Sequence, residues 1–138
     1  MSRITSAKPS AEAVAEYLVV KALAGAADVL KAYELYINSY SPSEIEKVVG
    51  MPRSTFRGYM NRIYEKTGSY RARILLKLLL PIVKNIEPIV ENGVCRLCGE
   101  HLPDQYTAVA HVRSRHMDVV EKAAHQILEV LRREVMKR

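Results

Sequence analysis

The sequence predicts a mainly α-helical fold: a helical bundle that contains a short helix, a tight turn and a longer helix, then a small ββα unit ending in a long C-terminal helix. Three observations carry this. Apolar residues recur at helical spacing along most of the chain, and no strand pattern of any length precedes residue 85. The stretch from Ser41 to Gly68 has the start, turn and stop residues of two consecutive helices. Cys95, Cys98, His111 and His116 fall in the spacing C-x2-C-x12-H-x4-H.

The first eight or nine residues are expected to fray. Ser10 then caps a helix whose apolar positions include Val14, Tyr17, Leu18, Leu23, Val29, Leu30, Tyr33, Tyr36 and Ile37. Gly25 divides it in two near Ala24–Ala27. The first part carries more apolar surface than one small bundle needs, so either the C-terminal helix or a second subunit covers it. Next, Ser41-Pro42-Ser43-Glu44 is a helix start: the Ser41 hydroxyl accepts from an orphan amide, Glu44 reaches back to the cap, and Pro42 suits the first helical position. Ile45, Val48 and Val49 give this short helix an apolar edge, and Gly50 stops it. Met51-Pro52 turns the chain into a second helix from about Pro52 to Lys66, with Phe56, Met60 and Ile63 inward, before Thr67-Gly68 ends it. Ser69 caps a further helix in which Ile74, Leu75, Leu78 and Leu79 are expected to face the core, and Pro81 ends or kinks it. Asn85–Gly93 is the expected boundary. The chain thus divides into an N-terminal helix with a possible oligomerisation role (1–27), a helix-turn-helix bundle (28–87) and a metal-binding module with an extended C-terminal helix (93–138).

Charge is not spread evenly. The net charge is +6, yet residues 53–84 alone hold eight basic side chains against the single acid Glu65. That segregation is the electrostatic footprint of a polyanion-binding surface. Arg53, Ser54, Arg57, Asn61 and Arg62 lie away from Phe56, Met60 and Ile63, and these residue types reach base edges and phosphates. Lys66, Arg71, Arg73 and Lys77 extend the basic surface as phosphate contacts. Gly58 costs about 1 kcal/mol against Ala inside a helix; close approach of a partner to the helix backbone is one reason to keep it.

The run from Ser43 through Leu80 resembles the DNA-binding domain of the LuxR/GerE family of helix-turn-helix regulators. Glu44-Ile45, Thr55-Phe56, Ile63, Lys66 and Gly68 stand in matching places, followed by a helix over Tyr70–Leu80; Pro52 departs from the Ser or Thr cap usual there. The resemblance implies a three- or four-helix DNA-binding bundle whose second helix enters the major groove.

Two thiolates on a turn and two imidazoles from one helix satisfy tetrahedral zinc, so Cys95, Cys98, His111 and His116 are the candidate ligands and zinc the candidate cofactor. His101 and His125 are left over as surface histidines. This segment is similar to the Cys-Cys-His-His zinc finger, with Leu102 in a core position, Ala108 in place of the usual Leu, and Gly93 in place of the usual aromatic residue. The finger positions that would read bases fall on Asp104, Tyr106, Thr107 and Ala110. None is Arg, which favours a structural or partner-binding finger. Beyond His116 the helix is expected to continue, with Val120, Ala124, Ile127, Leu131 and Val135 as an apolar stripe. That stripe either packs on the N-terminal helix or forms a homodimer seam.

The reading that best fits is a DNA-binding transcriptional regulator acting on double-stranded DNA, with an RNA-binding or protein-adaptor factor as the alternative. An enzyme is not expected: four protein ligands close the metal's coordination shell, and no phosphate loop, nucleophile motif or carboxylate pair is visible. No membrane span, secretory leader or small-molecule substrate is expected, which points to an intracellular, cytoplasmic or nucleoid-associated protein.

Overall fold

A computed structural model of the chain describes residues 10–136, and the expectation of a frayed N-terminus lies outside them. Within these residues there are six helices and one two-stranded hairpin: α1 (Ser10–Leu23), α2 (Ala27–Ile37), α3 (Pro42–Val49), α4 (Arg53–Val83), β1 (Val90–Glu91), β2 (Val94–Cys95), α5 (Gln105–Arg115) and α6 (Met117–Met136). No helix is long and apolar enough to cross a membrane.

Helix α1 is the centre of the arrangement, packing against α2, α4, α5 and α6. Val14, Ala15, Leu18, Val19, Val20, Ala22 and Leu23 are all buried, a consequence of apolar residues on every side of this helix. Its main partner is α6, whose Val120, Ala124 and Ile127 are buried while Leu131 is half-buried. The C-terminal helix therefore covers the apolar excess of the N-terminal one within the same chain. One contiguous core also runs through all three of the segments expected to be separate, from Val14 to Ile127.

Local signals put several breaks where the sequence placed them. Ser41 forms the capping box: its amide donates to Glu44 Oε1 at 2.7 Å, and the Glu44 amide donates to Ser41 Oγ at 3.2 Å. Gly50 closes α3 in the left-handed region. The chain bends at Gly68 (φ 79, ψ 158), dividing α4 into a first limb over 53–67 and a second over 69–83. Gly25 (φ +76) separates α1 from α2. A Cβ there would meet the Val90 carbonyl at 3.1 Å, so the turn is held against the hairpin as well as being left-handed.

One expectation is met only in part. The second limb of α4 buries Ala72, Leu76, Leu79, Leu80 and Val83, whereas Ile74 and Leu78 are on the surface and Leu75 is half-buried. Apolar residues surround this limb, so their spacing did not fix which side faces inward. Pro81 lies in the last turn of α4, which ends at Val83. The expected boundary at Asn85–Gly93 contains β1 and the hairpin turn. Asn92 (φ 53) and Gly93 (φ 75) form a two-residue turn with both residues at positive φ, the geometry that an Asn-Gly pair supports in a hairpin. The hairpin is tied to the bundle: the Ile89 amide donates to the Leu23 carbonyl at 2.8 Å, satisfying the end of α1.

Candidate functional site

Cys95 leaves β2 and Cys98 follows in a knuckle closed by Gly99 N–H to Cys95 O (2.8 Å) and Cys95 N–H to Glu100 O (2.9 Å). Asp104 caps α5 by accepting from the Thr107 amide at 2.7 Å, and α5 then carries His111 inward. The four ligand atoms all lie within 4.8 Å of one another. Cys95 Sγ is 3.4 Å from His116 Nε2, and Cys98 Sγ is 3.4 Å from His111 Nε2. In a zinc tetrahedron with ordinary bond lengths an S···N edge is about 3.6 Å. The donor set and the spacing therefore fit a metal ion, and the residues that can hold it are those expected. His111 turns Nδ1 toward Glu100 Oε1 at 3.5 Å and Nε2 toward Cys98.

The helix expected to run through His116 is instead two. Five residues of continuous α-helix would set His111 and His116 about 140° apart around the axis. The chain leaves helical geometry at His116 (φ −129, ψ 36), which lets both imidazoles meet, their ring centroids 4.9 Å apart. His101 bridges Val94 and His125 lies near Glu12 (3.4 Å), so neither joins the metal centre.

Beyond the metal centre, the basic residues of α4 divide between two flanks. Arg53, Arg57 and Asn61 line a shallow groove with Tyr36, Tyr40 and Phe56, beside α2 and α3. Ser54 is exposed, and so are Arg71 and Lys77 farther along. Arg53 also pairs with Glu46 at 3.0 Å across the α3–α4 turn, a pair exposed on both sides. Arg62 is on the other flank. It faces a cleft walled by Lys21, Thr55, Gly58 and Tyr59 on one side and by Gln105, Tyr106, Ala110 and Arg113 of α5 on the other. Lys66 lines the adjoining hollow. Arg73 does something different: its Nη2 donates to the Ile37 carbonyl (3.2 Å) and Ser39 Oγ (3.0 Å), and the guanidinium lies 5.0 Å from the Tyr36 ring centroid. It closes the C-terminal end of α2.

Lys21 is the residue that sequence reasoning passed over. It is 6% exposed, and burial together with Arg113, Arg62 and Lys66 lowers its pKa to about 8. Its ammonium rests 4.7 Å from the Tyr17 ring centroid and 5.3 Å from that of Tyr59. A signal was present: Lys21 is the only charge in the apolar run from Tyr17 to Ala27. Behind it the buried Tyr33 hydroxyl donates to the Tyr59 carbonyl at 2.8 Å, and burial raises that phenol's pKa.

Compared with known proteins, the chain matches no family model, no curated protein and no solved structure. The resemblance of Ser43–Leu80 to the LuxR/GerE domain thus rests on its own residues.

Proposed function

We propose that this chain is a zinc-carrying, DNA-binding transcriptional regulator in which α3 and the first limb of α4 act as a helix-turn-helix. One observation carries the reading: the chain's excess positive charge is gathered on α4, whose exposed flank presents Arg53, Ser54, Arg57 and Asn61. Arg pairs bidentately with guanine and Asn with adenine, so this flank has the chemistry of base readout. Arg62, Lys66, Arg71 and Lys77 supply phosphate contacts around it. The Arg53–Glu46 pair is no obstacle, since exposed ion pairs contribute about 0–1 kcal/mol and exchange readily. Zinc, held by Cys95, Cys98, His111 and His116, has a structural role: it fastens the hairpin to α5 and exposes no open coordination position. Asp104 is occupied as the α5 cap, which supports a finger that shapes the surface more than it reads bases.

A second reading, RNA binding, draws support from Tyr106, which is 86% exposed beside the basic cleft. Unstacked bases of single-stranded RNA pack on such rings. A titration of zinc-loaded protein against duplex DNA, single-stranded DNA and structured RNA at several salt concentrations separates the two. Duplex preference with a steep salt slope, lost in an Arg53→Ala/Arg57→Ala variant, is the expected result; Arg57→Ala alone should cost about 1–3 kcal/mol in discrimination between target and scrambled duplex. Equal or better RNA binding that ignores both arginines would replace the DNA reading with the second one.

A further inference from the structure

The cleft between α1, the first limb of α4 and α5 concentrates positive charge around a buried ammonium. Lys21 comes from α1, Arg62 and Lys66 from α4, and Arg113 from α5. Two adjoining hollows, of ≈ 260 and ≈ 310 Å³, share Lys21, Arg62 and Arg113 on their walls. The Lys21 ammonium rests against the faces of Tyr17 and Tyr59, and the buried Glu16 is the one carboxylate residue on the walls of the two hollows. Burying a cation among cations is destabilising, and the lowered pKa of Lys21 reports that cost. Such an arrangement persists most readily where an anion completes it.

We infer that Lys21, Arg62 and Arg113 form a binding site for a phosphate group in this cleft. Three cations from three separate helices converge on one volume, which suits a tetrahedral group with several acceptor oxygens. Two of the three are guanidiniums, whose paired N–H donors match phosphate oxygens. The ≈ 310 Å³ hollow is at the lower end of ordinary small-ligand pockets, about 300–1,000 Å³. Its far wall offers Tyr106 for the remainder of the ligand. Gly58 adds open space, because a Cβ there would meet nothing within 4 Å. The phosphate can belong to a free phosphorylated small molecule or to a nucleic-acid backbone; both have the same charged group. The site shares Arg62 with the phosphate contacts of the proposed DNA interface, whereas the base-reading residues Arg53, Arg57 and Asn61 are on the opposite flank.

The test uses the zinc-loaded full chain, with adenosine monophosphate and inorganic phosphate as probes and chloride at matched ionic strength as control. Thermal shift and titration calorimetry should show saturable binding to the wild type. Lys21→Met and Arg113→Gln should each lower affinity about tenfold or more, while Arg53→Ala/Arg57→Ala should bind as wild type. Two variants on different helices guard against a folding defect in either. Competition with duplex DNA then identifies the source. Displacement of the nucleotide by duplex, with weaker duplex binding by Lys21→Met, assigns a backbone phosphate; simultaneous binding assigns a small ligand. Both results uphold the site, and nucleotide binding without any duplex binding upholds it while removing the DNA proposal. A phosphate response no larger than that to chloride, or wild-type affinity in both cleft variants, overturns it.

Discussion

Replacing Lys21 with Met should make the protein more stable. Methionine keeps the length and packing of the lysine stem while removing the ammonium. The cost of the charge follows from its environment. A fall in pKa from an ordinary 10.5 to about 8, at about 1.4 kcal/mol for each tenfold change in proton affinity, gives about 3 kcal/mol. Part of this is offset by the contacts with Tyr17 and Tyr59, each about 0.5–1 kcal/mol. A net gain of about 1–2 kcal/mol remains, or a rise in Tm of about 3–8 °C for a chain of this size. The pH dependence is more diagnostic than the gain. Between pH 8 and 10.5 the unfolded chain holds the Lys21 proton and the folded chain releases it, so wild-type stability should rise with pH across that window. Below pH 8 the ammonium is charged in both states and the penalty is fully present. Lys21→Met should lack this rise between pH 8 and 9.5, below the range in which tyrosines titrate. Melts followed by circular dichroism, in buffers free of phosphate, would measure both quantities. A variant less stable than wild type, or parallel pH profiles for the two proteins, would refute the argument.

Three other outcomes follow from the same contacts. Gly58→Ala should raise stability by about 1 kcal/mol, since the added methyl meets open space, but weaken nucleic-acid binding; a variant that gains stability and keeps full affinity would show that no partner approaches the helix there. Cys98→Ser, or chelation of the wild type, should remove several kcal/mol of stability and loosen α1 along with the hairpin, read by hydrogen exchange at Leu23 and Ile89; unchanged protection at those amides would contradict the coupling. Arg73→Ala should cost about 1 kcal/mol through the lost bonds to Ile37 and Ser39 and leave the salt slope of DNA binding alone, whereas a slope reduced by about one would return Arg73 to the phosphate contacts.

Elements announced by short-range chemistry were legible in the sequence. Ser41 and Glu44 identify a capping box because both partners lie within one helical turn, and Gly50 and Gly25 mark breaks that few other residues tolerate. The cluster of Cys95, Cys98, His111 and His116 was legible because metal-site chemistry constrains residue type and spacing together. What escaped depends on distant parts of the chain. The inward side of residues 69–83 is selected by the helices packed against it, and Ile74 and Leu78 look no less buried than Leu76 and Leu79 by composition alone. The bonds of Arg73 to Ile37 and Ser39 were not legible because they join residues far apart in the chain. Lys21 becomes notable only when Arg62 and Arg113, far along the chain, arrive next to it. The Asn92-Gly93 turn is a different case, since its signal was local and was masked by reading that stretch as a boundary.

The packing of α1 on α6 has a consequence for the order in which the molecule is assembled. About a hundred residues separate these two helices in the chain, and together they make the most extensive helix–helix contact in the molecule. Contacts of such long range form late, after the entropy of closing the intervening loop has been lost. During synthesis α1 emerges early and has α2 and α4 to pack on first, so the side that α6 covers stays exposed longest. Helices α2, α3 and α4 can collapse first because their contacts are local. The hairpin is held at the end of α1 by the Ile89–Leu23 hydrogen bond, and it ends on Cys95 with Cys98 following directly. A metal bound by Cys95, Cys98, His111 and His116 would fix α5, and so the start of α6, beside that hairpin, and its availability would then govern how fast the nascent protein hides its central helix.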